Sequence, residues 1–241
     1  METKYKFTKK DNITVLTGAG ISAESGVKTF RGNNGLWENH RIEEVATPSA
    51  FKKNPEMVWK FYKQRINQLK AIKPNPAHDS LKKLEDFLEQ DLFLITQNVD
   101  GLHHDAGNKR VLEMHGNLRT CRCTECNLQY AVNQVNLEKN IPRCCECNEY
   151  LRPNVVWFGE MPKFLSQINS YLSQANYFII IGTSGIVYPA AQFLPIAKRN
   201  GAVTIGINLE KPANLSFIDE FHQGKAGKLL PELVKIWTDN D

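Results

Sequence analysis

The sequence lacks several features that would assign it to other classes of protein. Among its 241 residues no apolar stretch reaches the roughly 20 residues that a helix needs to cross a bilayer. The first twelve residues, METKYKFTKKDN, contain lysines but no apolar run, so neither a signal peptide nor a transit peptide is predicted. The net charge of +4 is small and the lysines are scattered, so no specific binding of nucleic acid is expected. A globular protein remains, with neither internal repeats nor low-complexity tracts, and we expect it in the cytoplasm.

Cysteine is absent outside one short window, because all six cysteines lie between Cys121 and Cys147. A secreted disulfide framework spreads its cysteines through the chain, so the clustering indicates metal binding instead. Cys123 and Cys126 form one C-x-x-C pair, and seventeen residues separate it from a second pair, Cys144 and Cys147. This spacing is typical of a zinc ribbon, and four thiolates fill a tetrahedral site. We therefore predict one structural zinc ion, in preference to disulfides or free thiols.

Two further cysteines lie beside these pairs. Cys145 could compete with Cys144 as a ligand, but only Cys144 has the two-residue spacer to Cys147. Cys121 has no role that the sequence assigns.

A glycine-rich turn follows the first predicted strand. Ile13 to Leu16 forms an apolar run, and Gly18 to Ala23 then gives the pattern G-x-G-x-x-A. The first glycine of such a motif allows a tight turn and the second lets the backbone approach a pyrophosphate, while a small third residue lets the next helix pack closely on the strand. The N–H groups at the helix start also suit an anion. The motif alone is weak evidence, because turns of this kind are common.

An acidic residue some twenty positions after this turn, which a conventional dehydrogenase uses to hold the adenosine ribose, is missing. The chain continues instead through residues 25–32, SGVKTFRG, where Phe30 and Arg31 are adjacent. Such a loop could fold over a bound cofactor, with the ring against a heterocycle and the guanidinium near phosphate. The alternative is a surface loop anchored by one phenylalanine. A conventional dehydrogenase is disfavoured.

The remaining pattern alternates strands and helices, which predicts an α/β fold with a Rossmann-like doubly wound parallel sheet. The continuous apolar run of Leu92 to Thr96 is typical of a strand covered on both faces. Further strands are predicted at 177–182 and 203–207, and helices from Thr47-Pro48, from Pro55, and over 76–90, 187–199 and 228–237. The predicted Rossmann-like domain comprises residues 1–35, 73–118 and 156–241, and the inserted smaller domain has a helical part, 36–72, and a zinc-binding part, 119–155.

Polar residues follow the predicted strands at their carboxyl ends, where open parallel sheets bind ligands. Gln97 to Asp100 follows one strand, Thr183 and Ser184 another, and Asn208 to Glu210 a third. Asn208 and Glu210 could supply the ribose contact that is missing after the first strand. Each could also be a strand-ending turn or a helix cap, and for Ser184 alone the cap is the better interpretation.

His115 follows a short apolar strand and precedes a glycine, just before the chain enters the zinc module. A neutral imidazole at this junction could act as a general base near neutral pH. The alternative is a structural role, which single histidines fill more often.

Several long motifs together resemble the sirtuin family of NAD-dependent protein deacylases. They are GAGISAESGVKTFRG, TQNVDGLHHDAG, the triplet at 115–117, the two C-x-x-C pairs, NVVWFGE, GTSGIVYPAA and the strand-ending Asn208. The resemblance covers nearly the whole chain in family order, and it is greatest to the bacterial-type and mitochondrial class that removes acidic acyl groups as well as acetyl. Lys28 and Asn117 depart from the family pattern, but neither removes a group that the chemistry needs.

The resemblance implies a transfer of the acyl group from lysine to ADP-ribose, with release of nicotinamide. It implies that His115 is the catalytic base that deprotonates a ribose hydroxyl, that Asn98 and Asp100 orient the nicotinamide carboxamide, that Gln97 contacts ribose, and that Phe30 shields the reactive carbon. The peptide is expected to pair with residues 155–160 as an added strand, with contacts to Val156, Phe158 and Gly159. From pattern and resemblance together, the predicted NAD contacts are Gly18, Ala19, Gly20, Ile21, Ala23, Glu24, Thr29, Phe30, Arg31, Trp37, Gln97, Asn98, Val99, Asp100, Gly182, Thr183, Ser184, Asn208, Leu209, Glu210 and Ala226.

Tyr62 and Arg65 lie three residues apart, so on a helix they share a face. Without further information, Tyr62 would be interpreted as a residue at the edge of the core and Arg65 as a solvent-exposed charge. The acidic-acyl sirtuins, however, have a Y-x-x-R pair that caps the acyl tunnel, where phenol and guanidinium can hold a terminal carboxylate. Ala46 also matches that class. The resemblance thus implies removal of succinyl or malonyl groups besides acetyl.

Two other functions remain open at this stage. A protein mono-ADP-ribosyltransferase would use the same NAD site, although the Tyr62 and Arg65 pair makes it less expected. A non-catalytic module that binds NAD and zinc would release no nicotinamide with any acyl-lysine peptide. The expected partners are therefore acylated-lysine proteins or peptides, with no membrane and no specific nucleic acid.

Overall fold

The computed structural model describes residues 2–28, 36–37, 40–89 and 92–239. The predicted NAD contacts Thr29, Phe30 and Arg31 lie outside the described residues, as does the side chain of Trp37. The strands are β1 (Ile13–Thr17), β2 (Leu36–Trp37), β3 (His40–Arg41), β4 (Leu92–Thr96), β5 (Val111–Glu113), β6 (Gly116–Cys123), β7 (Gln129–Ala131), β8 (Leu151–Val155), β9 (Tyr177–Ile181), β10 (Val203–Asn208) and β11 (Glu220–Gln223). The α-helices are α1 (Ile42–Val45), α2 (Pro48–Lys53), α3 (Pro55–Leu69), α4 (Pro76–Leu88), α5 (Leu102–Asp105), α6 (Leu165–Gln174), α7 (Phe193–Arg199) and α8 (Ala226–Trp237).

The large sheet is parallel throughout, with the strand order β11-β10-β9-β1-β4-β5. The chain adds β4 and β5 on one side of β1 and then returns to add β9, β10 and β11 on the other. Strand order therefore reverses between β1 and β9. In open parallel sheets this reversal creates the crevice that binds a ligand at the carboxyl ends of the strands. The predicted doubly wound sheet is confirmed.

Side chains alternate between two apolar layers, because successive residues of a strand point to opposite faces. In β9, Ile179 and Ile181 join the core under α4 and α8, whereas Phe178 and Ile180 join the core under α6 and α7. All four are buried, which explains why the strand reads as a continuous apolar run.

Three helices begin where a capping residue precedes a proline. The side chains of Thr47, Asn54 and Asn75 accept hydrogen bonds from backbone N–H groups in the first turn of α2, α3 and α4. Proline at the first helical position has no N–H to leave unsatisfied. The predicted starts at Pro48, Pro55 and Pro76 are confirmed.

A second sheet, with the order β7-β6-β8, forms the smaller module together with α1, α2 and α3. Trp59 on α3 donates an indole hydrogen bond of 2.7 Å to the carbonyl of Leu151 on β8, which ties the helix to the sheet. β8 is an edge strand of this sheet.

Two predicted helices differ from the structure. The helix predicted over 187–199 begins only at Phe193, after a short 3₁₀ turn, because Pro189 disfavours a helical conformation at Tyr188. The helix after the glycine turn is a 3₁₀ helix, Ala19–Ser25, which ends at Gly26 in the left-handed region, with φ +93°. In the described part of the chain, no helix combines the length and the apolar character that crossing a membrane requires.

Candidate active site and zinc ribbon

The two glycines of the first turn are needed where β1 meets β9. Gly18 N donates to Ile181 O and Gly20 N donates to Gly182 O, both at 2.9 Å. A Cβ at Gly20 would lie 2.6 Å from Gly182 Cα, and one at Gly18 would lie 2.8 Å from Gly182 O. Both distances are shorter than van der Waals contact. The glycines predicted to let the backbone approach a pyrophosphate therefore also let the turn after β1 pack closely against the turn after β9 at the switch point.

The packing role predicted for Ala23 is wrong, because Ala23 is exposed, whereas its predicted contact with NAD stays a prediction. In this tight 3₁₀ helix Ile21 and Ser22 are the buried residues. Glu24 has a structural role: its Oε2 accepts a 2.7 Å hydrogen bond from Gly227 N in the first turn of α8, where Ala226 is buried.

Polar groups from three strand ends meet at the switch point. Gln97 Nε2 donates to Thr183 Oγ1 at 3.1 Å, and Asn208 Nδ2 donates to the carbonyl of Thr183 at 2.9 Å. Ser184 Oγ accepts from Ile186 N at 3.4 Å, so it closes a strand-ending turn and does not cap a helix, which was the interpretation favoured for this serine. Leu209 and the neighbouring Glu210 are exposed. The structure thus brings Gln97, Thr183 and Asn208 together.

A second polar cluster lies under the glycine turn. Asn98 Nδ2 donates to Gly18 O and to Ser22 Oγ, both at 3.1 Å. Asp100 accepts hydrogen bonds from Leu102 N at 2.9 Å and from the Ser22 hydroxyl. Burial raises the pKa of the Asp100 carboxyl. Sequence reasoning missed Ser22, whose only signal is a hydroxyl inside an otherwise small and apolar turn.

Two histidines lie deeper, beneath this cluster. His103 Nε2 is 2.9 Å from Thr17 Oγ1, and the His103 ring centroid is 4.9 Å from that of His78. Burial lowers the pKa of His78 to about 4 and holds that of His103 well below its usual range. Both are therefore neutral, structural histidines at pH 7.

His115 is oriented by the backbone on either side of it. Its Nδ1 lies 2.9 Å from the carbonyl of Gln97, which can only accept, so Nδ1 carries the proton and Nε2 keeps its lone pair. Burial lowers the pKa of His115, although the bond to Gln97 opposes this effect. Gly116, with φ +74°, turns the chain into β6, where a Cβ would lie 2.0 Å from Asn154 O. A neutral imidazole is thus held next to Gln97 at the strand-end crevice.

Tyr62 and Arg65 lie on one face of α3 and are only 1% and 7% exposed. Trp157 Nε1 donates to Tyr62 Oη at 2.9 Å, and Arg65 Cζ lies 4.2 Å from the centre of the Phe61 ring. Burial raises the pKa of the Tyr62 phenol, so it remains protonated. The surface exposure expected of an ordinary arginine does not apply here, because Arg65 is enclosed beside a buried phenol.

The chain after β8 connects this pair to His115. Val156 N donates to His115 O at 2.8 Å, and Phe158 N donates to Ala46 O at 2.9 Å. Trp157, between them, reaches Tyr62. Phe158 is 49% exposed, and a Cβ at Gly159 would meet nothing within 4 Å, so this segment is open on its outer side.

A buried ion pair fixes this segment and was missed from the sequence. Arg152 Nη1 and Nη2 donate to the two Glu160 oxygens at 2.6 and 2.9 Å, and Glu160 Oε2 also accepts from Trp157 N at 2.8 Å. Arg152 Cζ lies 3.3 Å from the centre of the Trp157 ring. The sequence offers only an arginine and a glutamate eight residues apart, which is not a recognisable signal.

The four cysteines of the two C-x-x-C pairs come together as predicted, with their sulfur atoms within 4.8 Å of one another. Individual Sγ···Sγ distances are 3.4 Å for Cys123 and Cys147 and 3.6 Å for Cys126 and Cys144. Tetrahedral zinc with Zn–S bonds near 2.3 Å places its sulfur atoms about 3.8 Å apart, so this donor set fits zinc. Cys145 lies outside the cluster and its thiol contacts Tyr130 Oη.

The second extra cysteine, Cys121, is buried in the β6 face of the module core. Its thiol is 3.7 Å from the carbonyl of Tyr130, and burial raises its pKa to about 11. It therefore acts as a small apolar core residue.

Fold and site together define an α/β protein with a nucleotide-type crevice at the switch point and a structural zinc ribbon beside it. The family model described as Sir2 family matches residues 18–189. The chain is 48% identical over 226 residues to an NAD-dependent protein deacylase of Vibrio cholerae, covering 93% of this chain and 92% of the relative. It is 46% identical to one of Pyrococcus furiosus, covering 97% and 96%.

Solved structures agree with these relatives. A Sir2 homologue in complex with ADP-ribose superimposes with a TM-score of 0.89 at 42% identity, covering 95% of this chain and 93% of that one. A Sir2 complex with a p53 peptide and NAD⁺ gives 0.83 at 33% identity, covering 92% of both chains. This protein belongs to the Sir2 family.

Proposed function

We infer that this chain is an NAD-dependent protein-lysine deacylase that removes acidic acyl groups, such as succinyl and malonyl, as well as acetyl. The observation that carries the inference is the arrangement around His115. Its Nδ1 bonds to the carbonyl of Gln97 at the switch-point crevice, which leaves the lone pair on Nε2. Its own carbonyl accepts from Val156 N, in the segment expected to pair with a peptide. The relatives from Vibrio cholerae and Pyrococcus furiosus carry the name NAD-dependent protein deacylase.

The residues at the crevice suit NAD. The glycine turn and the strand-end polar groups of Gln97 and Asn208 would hold the dinucleotide, and Asn98 and Asp100 would hold the nicotinamide amide. When bound, NAD supplies ADP-ribose as the acceptor of the acyl group and nicotinamide as the leaving group. The fit rests on the buried amide of Asn98 and carboxyl of Asp100, which Ser22 holds in place below the turn. The remaining predicted NAD contacts stay predictions.

His115 acts as the base. Because Gln97 O fixes the proton on Nδ1, the proton from the ribose hydroxyl is accepted at Nε2. Burial keeps the imidazole neutral at pH 7, which is the state that can accept a proton. The bond from Val156 to the His115 carbonyl ties the position of the base to that of the peptide segment.

Tyr62 and Arg65 select the acyl group. Both side chains are buried on one face of α3. Trp157, which donates to Tyr62 Oη, directly follows Val156, the residue bonded to the carbonyl of His115. A planar guanidinium binds a carboxylate with two hydrogen bonds, and such charge-assisted bonds are strongest where water is excluded. A terminal carboxylate of a succinyl or malonyl group would therefore be bound here, whereas acetyl carries no carboxylate and does not need the pair.

The test is release of nicotinamide from NAD by the purified protein, with acetyl-lysine and succinyl-lysine peptides of one sequence. Release with both is expected from the wild type, and a loss of about 10²–10⁴-fold from His115→Ala, which is the usual effect of removing a general base. No release with either peptide would overturn the function. Release with the acetyl peptide alone would leave the deacylase function standing and overturn the acidic-acyl preference.

A further inference from the structure

A polar pocket that the deacylation chemistry does not use lies beside the segment expected to bind the peptide. Its volume is about 300 Å³, and β6, β8 and residues 160–163 form its walls. Arg122 and Lys163 provide its cationic groups, and Val156 and the exposed Met161 lie at its rim next to the peptide segment.

Positive charge is in excess around this pocket. Arg122 and Arg152 are directly opposite in the β6–β8 pairing, an arrangement that repels unless an anion lies between them. Glu160 is that anion, but both of its oxygens are already bound by Arg152 at 2.6 and 2.9 Å. Arg122 Nη2 is 3.7 Å from Glu160, beyond hydrogen-bond length, and Lys163 adds a third cation. The described lining residues thus include two cations, Arg122 and Lys163, and one carboxylate, whose oxygens are taken by Arg152 from outside the lining.

The Lys163 ammonium is held in place by a buried amide. Lys163 Nζ donates to Asn154 Oδ1 at 2.9 Å. The amide nitrogen of Asn154 in turn donates to Thr120 Oγ1 at 3.0 Å and to Gln129 Oε1 at 2.9 Å. Since both ends of the buried Asn154 side chain are engaged, its orientation is fixed, and one ammonium donor is fixed with it. The directions of the remaining two N–H donors of Lys163 are thereby restricted, whereas the ammonium of an ordinary surface lysine rotates freely.

The surroundings of Lys163 also disfavour its charge. Burial lowers its pKa, and the nearby Arg122 and Arg152 lower it further, whereas Glu113 and Glu160 raise it. Glu113 is already bound by the amide of Asn117. An anion in the pocket would offset this desolvation and repulsion. Binding of the anion would therefore favour the protonated form of Lys163, and the protonated form would favour binding of the anion.

We propose that Arg122 and Lys163 form a subsite for the carboxylate of an aspartate or glutamate that lies near the acylated lysine in the substrate protein. The proposal rests on the proposed function, because the peptide must lie along Val156 to Gly159. An extended peptide advances about 3.3 Å per residue, so the acidic residue falls within roughly three positions of the lysine. A carboxylate can bridge an arginine fork and a lysine point charge, and Arg122, with its side chain 30% exposed, is accessible to it.

The experiment uses the full-length zinc-loaded protein and an otherwise neutral acetyl-lysine peptide with one glutamate, placed in turn at each of the three positions on either side of the lysine. Each peptide has a matched glutamine partner. The readout is the ratio of kcat/KM for the glutamate and glutamine peptides, measured within each variant at low salt. The variants are Lys163→Gln, Lys163→Arg and Lys235→Gln, which removes the same charge from an exposed position on α8.

The expected ratio is about fivefold at one or two neighbouring positions, expressed mainly in KM, which is the size of one partly exposed charge-assisted hydrogen bond. We expect it to fall to about one in Lys163→Gln, to be restored at least in part in Lys163→Arg, to survive in Lys235→Gln and to shrink as salt is added. A ratio near one at all six positions, or a preference that survives Lys163→Gln, overturns the subsite and leaves the deacylase function intact.

Calorimetry measures the Kd of each glutamate peptide and its glutamine partner, so it compares their binding without requiring any reaction. If no peptide releases nicotinamide, the proposed function fails. The subsite is still decided by whether the glutamate peptide binds more tightly than its glutamine partner in the wild type and loses that advantage in Lys163→Gln.

Discussion

His115 illustrates how one hydrogen bond can define a catalytic tautomer. The carbonyl of Gln97 can only accept, so the ring presents Nε2 as the basic nitrogen. Burial also lowers the pKa of the imidazole below the usual value of 6.5. The folded protein therefore keeps this base neutral in mildly acidic solution, where an exposed histidine would already be charged.

A pH prediction follows for the reaction. We expect the fall of kcat/KM for the acetyl peptide with decreasing pH to be centred below pH 6.5, because the base is lost when it is protonated and burial lowers its pKa from the usual 6.5. The check is a pH profile of nicotinamide release at constant ionic strength. A decline centred at or above pH 7 would contradict the assignment of His115 as the neutral base.

A second prediction at this scale concerns the acyl group. Arg65→Met replaces the guanidinium by a chain of similar length that cannot bind a carboxylate, so we expect desuccinylation to fall by about 10- to 100-fold, the cost of one or two charged hydrogen bonds. Deacetylation should change by less than about threefold, since acetyl carries no carboxylate. The measurement is kcat/KM with the two matched acyl peptides.

Tyr62→Phe is the matched control for this prediction. It removes the hydroxyl that accepts from Trp157 but keeps the ring, and should cost desuccinylation less than Arg65→Met does. An equal loss of both activities in Arg65→Met would mean that Arg65 supports the fold of α3 and not the choice of acyl group.

The sequence predicted those residues of the site whose signal is local. The paired C-x-x-C motifs predict the cysteine cluster without knowledge of the rest of the fold. The spacing of Tyr62 and Arg65 predicts only that they share a helix face, and their acyl role was implied by the resemblance alone. Trp157 could not be placed, because its partners Tyr62 and Arg152 lie on other elements. Ala23 was wrongly placed because the spacing of a motif does not distinguish a 3₁₀ helix from an α-helix, and the two turn different residues inward.

At the scale of elements, helix starts marked by a cap and a proline were predictable, whereas the start of α7 was not. Pro48 and Pro55 each follow a side chain that caps the first turn, and local chemistry decides both. Before α7, Pro189 disfavours a helical conformation at Tyr188, and no capping side chain marks the start of the helix at Phe193. The short strand β11 was missed because four residues with mixed polarity give no period.

The zinc module holds α3 in place from a distance. Its sheet anchors the helix through the bond from Trp59 to Leu151, and the same helix carries Tyr62 and Arg65. Leu151 follows the second C-x-x-C pair by only four residues. The metal site therefore supports the acyl site through this connection.

We predict that Cys126→Ser loses zinc and lowers Tm by on the order of 10 °C, because a structural zinc site contributes several kcal/mol and 1 kcal/mol moves Tm by roughly 2–4 °C in a protein of this size. Cys145→Ser is the matched control and should retain one zinc per chain, since its sulfur lies outside the cluster. The measurements are zinc content and thermal unfolding. Zinc loss from Cys145→Ser would show that Cys145 replaces Cys144 as a ligand.

At the scale of the whole molecule, the two faces of the large sheet differ in the polarity of the side chains that they bury. Beneath α6 and α7 the face is mainly apolar, and its buried Thr14 and Thr204 bond to backbone carbonyls. On the other face, polar groups under the glycine turn extend down to His78 and His103 near the start of α4 and α5. Neutral histidines inside the protein make its stability depend on pH, since charging them requires either desolvation or unfolding.

The last prediction concerns that dependence. Both histidines have folded-state pKa values below the unfolded value of 6.5, with His78 at about 4, so below pH 6.5 the unfolded chain binds more protons than the folded one. The stability that they contribute is present above pH 6.5 and is lost as pH falls from 6.5 towards 4, at up to about 1.4 kcal/mol per pH unit for each histidine.

His103→Gln keeps a partner for Thr17 but cannot titrate, so the slope of unfolding free energy between pH 6 and 5 should become shallower by about that amount. Urea titrations across this range measure it, and loss of zinc at low pH affects both proteins alike. An unchanged slope in His103→Gln would mean that this buried ring is not the proton-linked group.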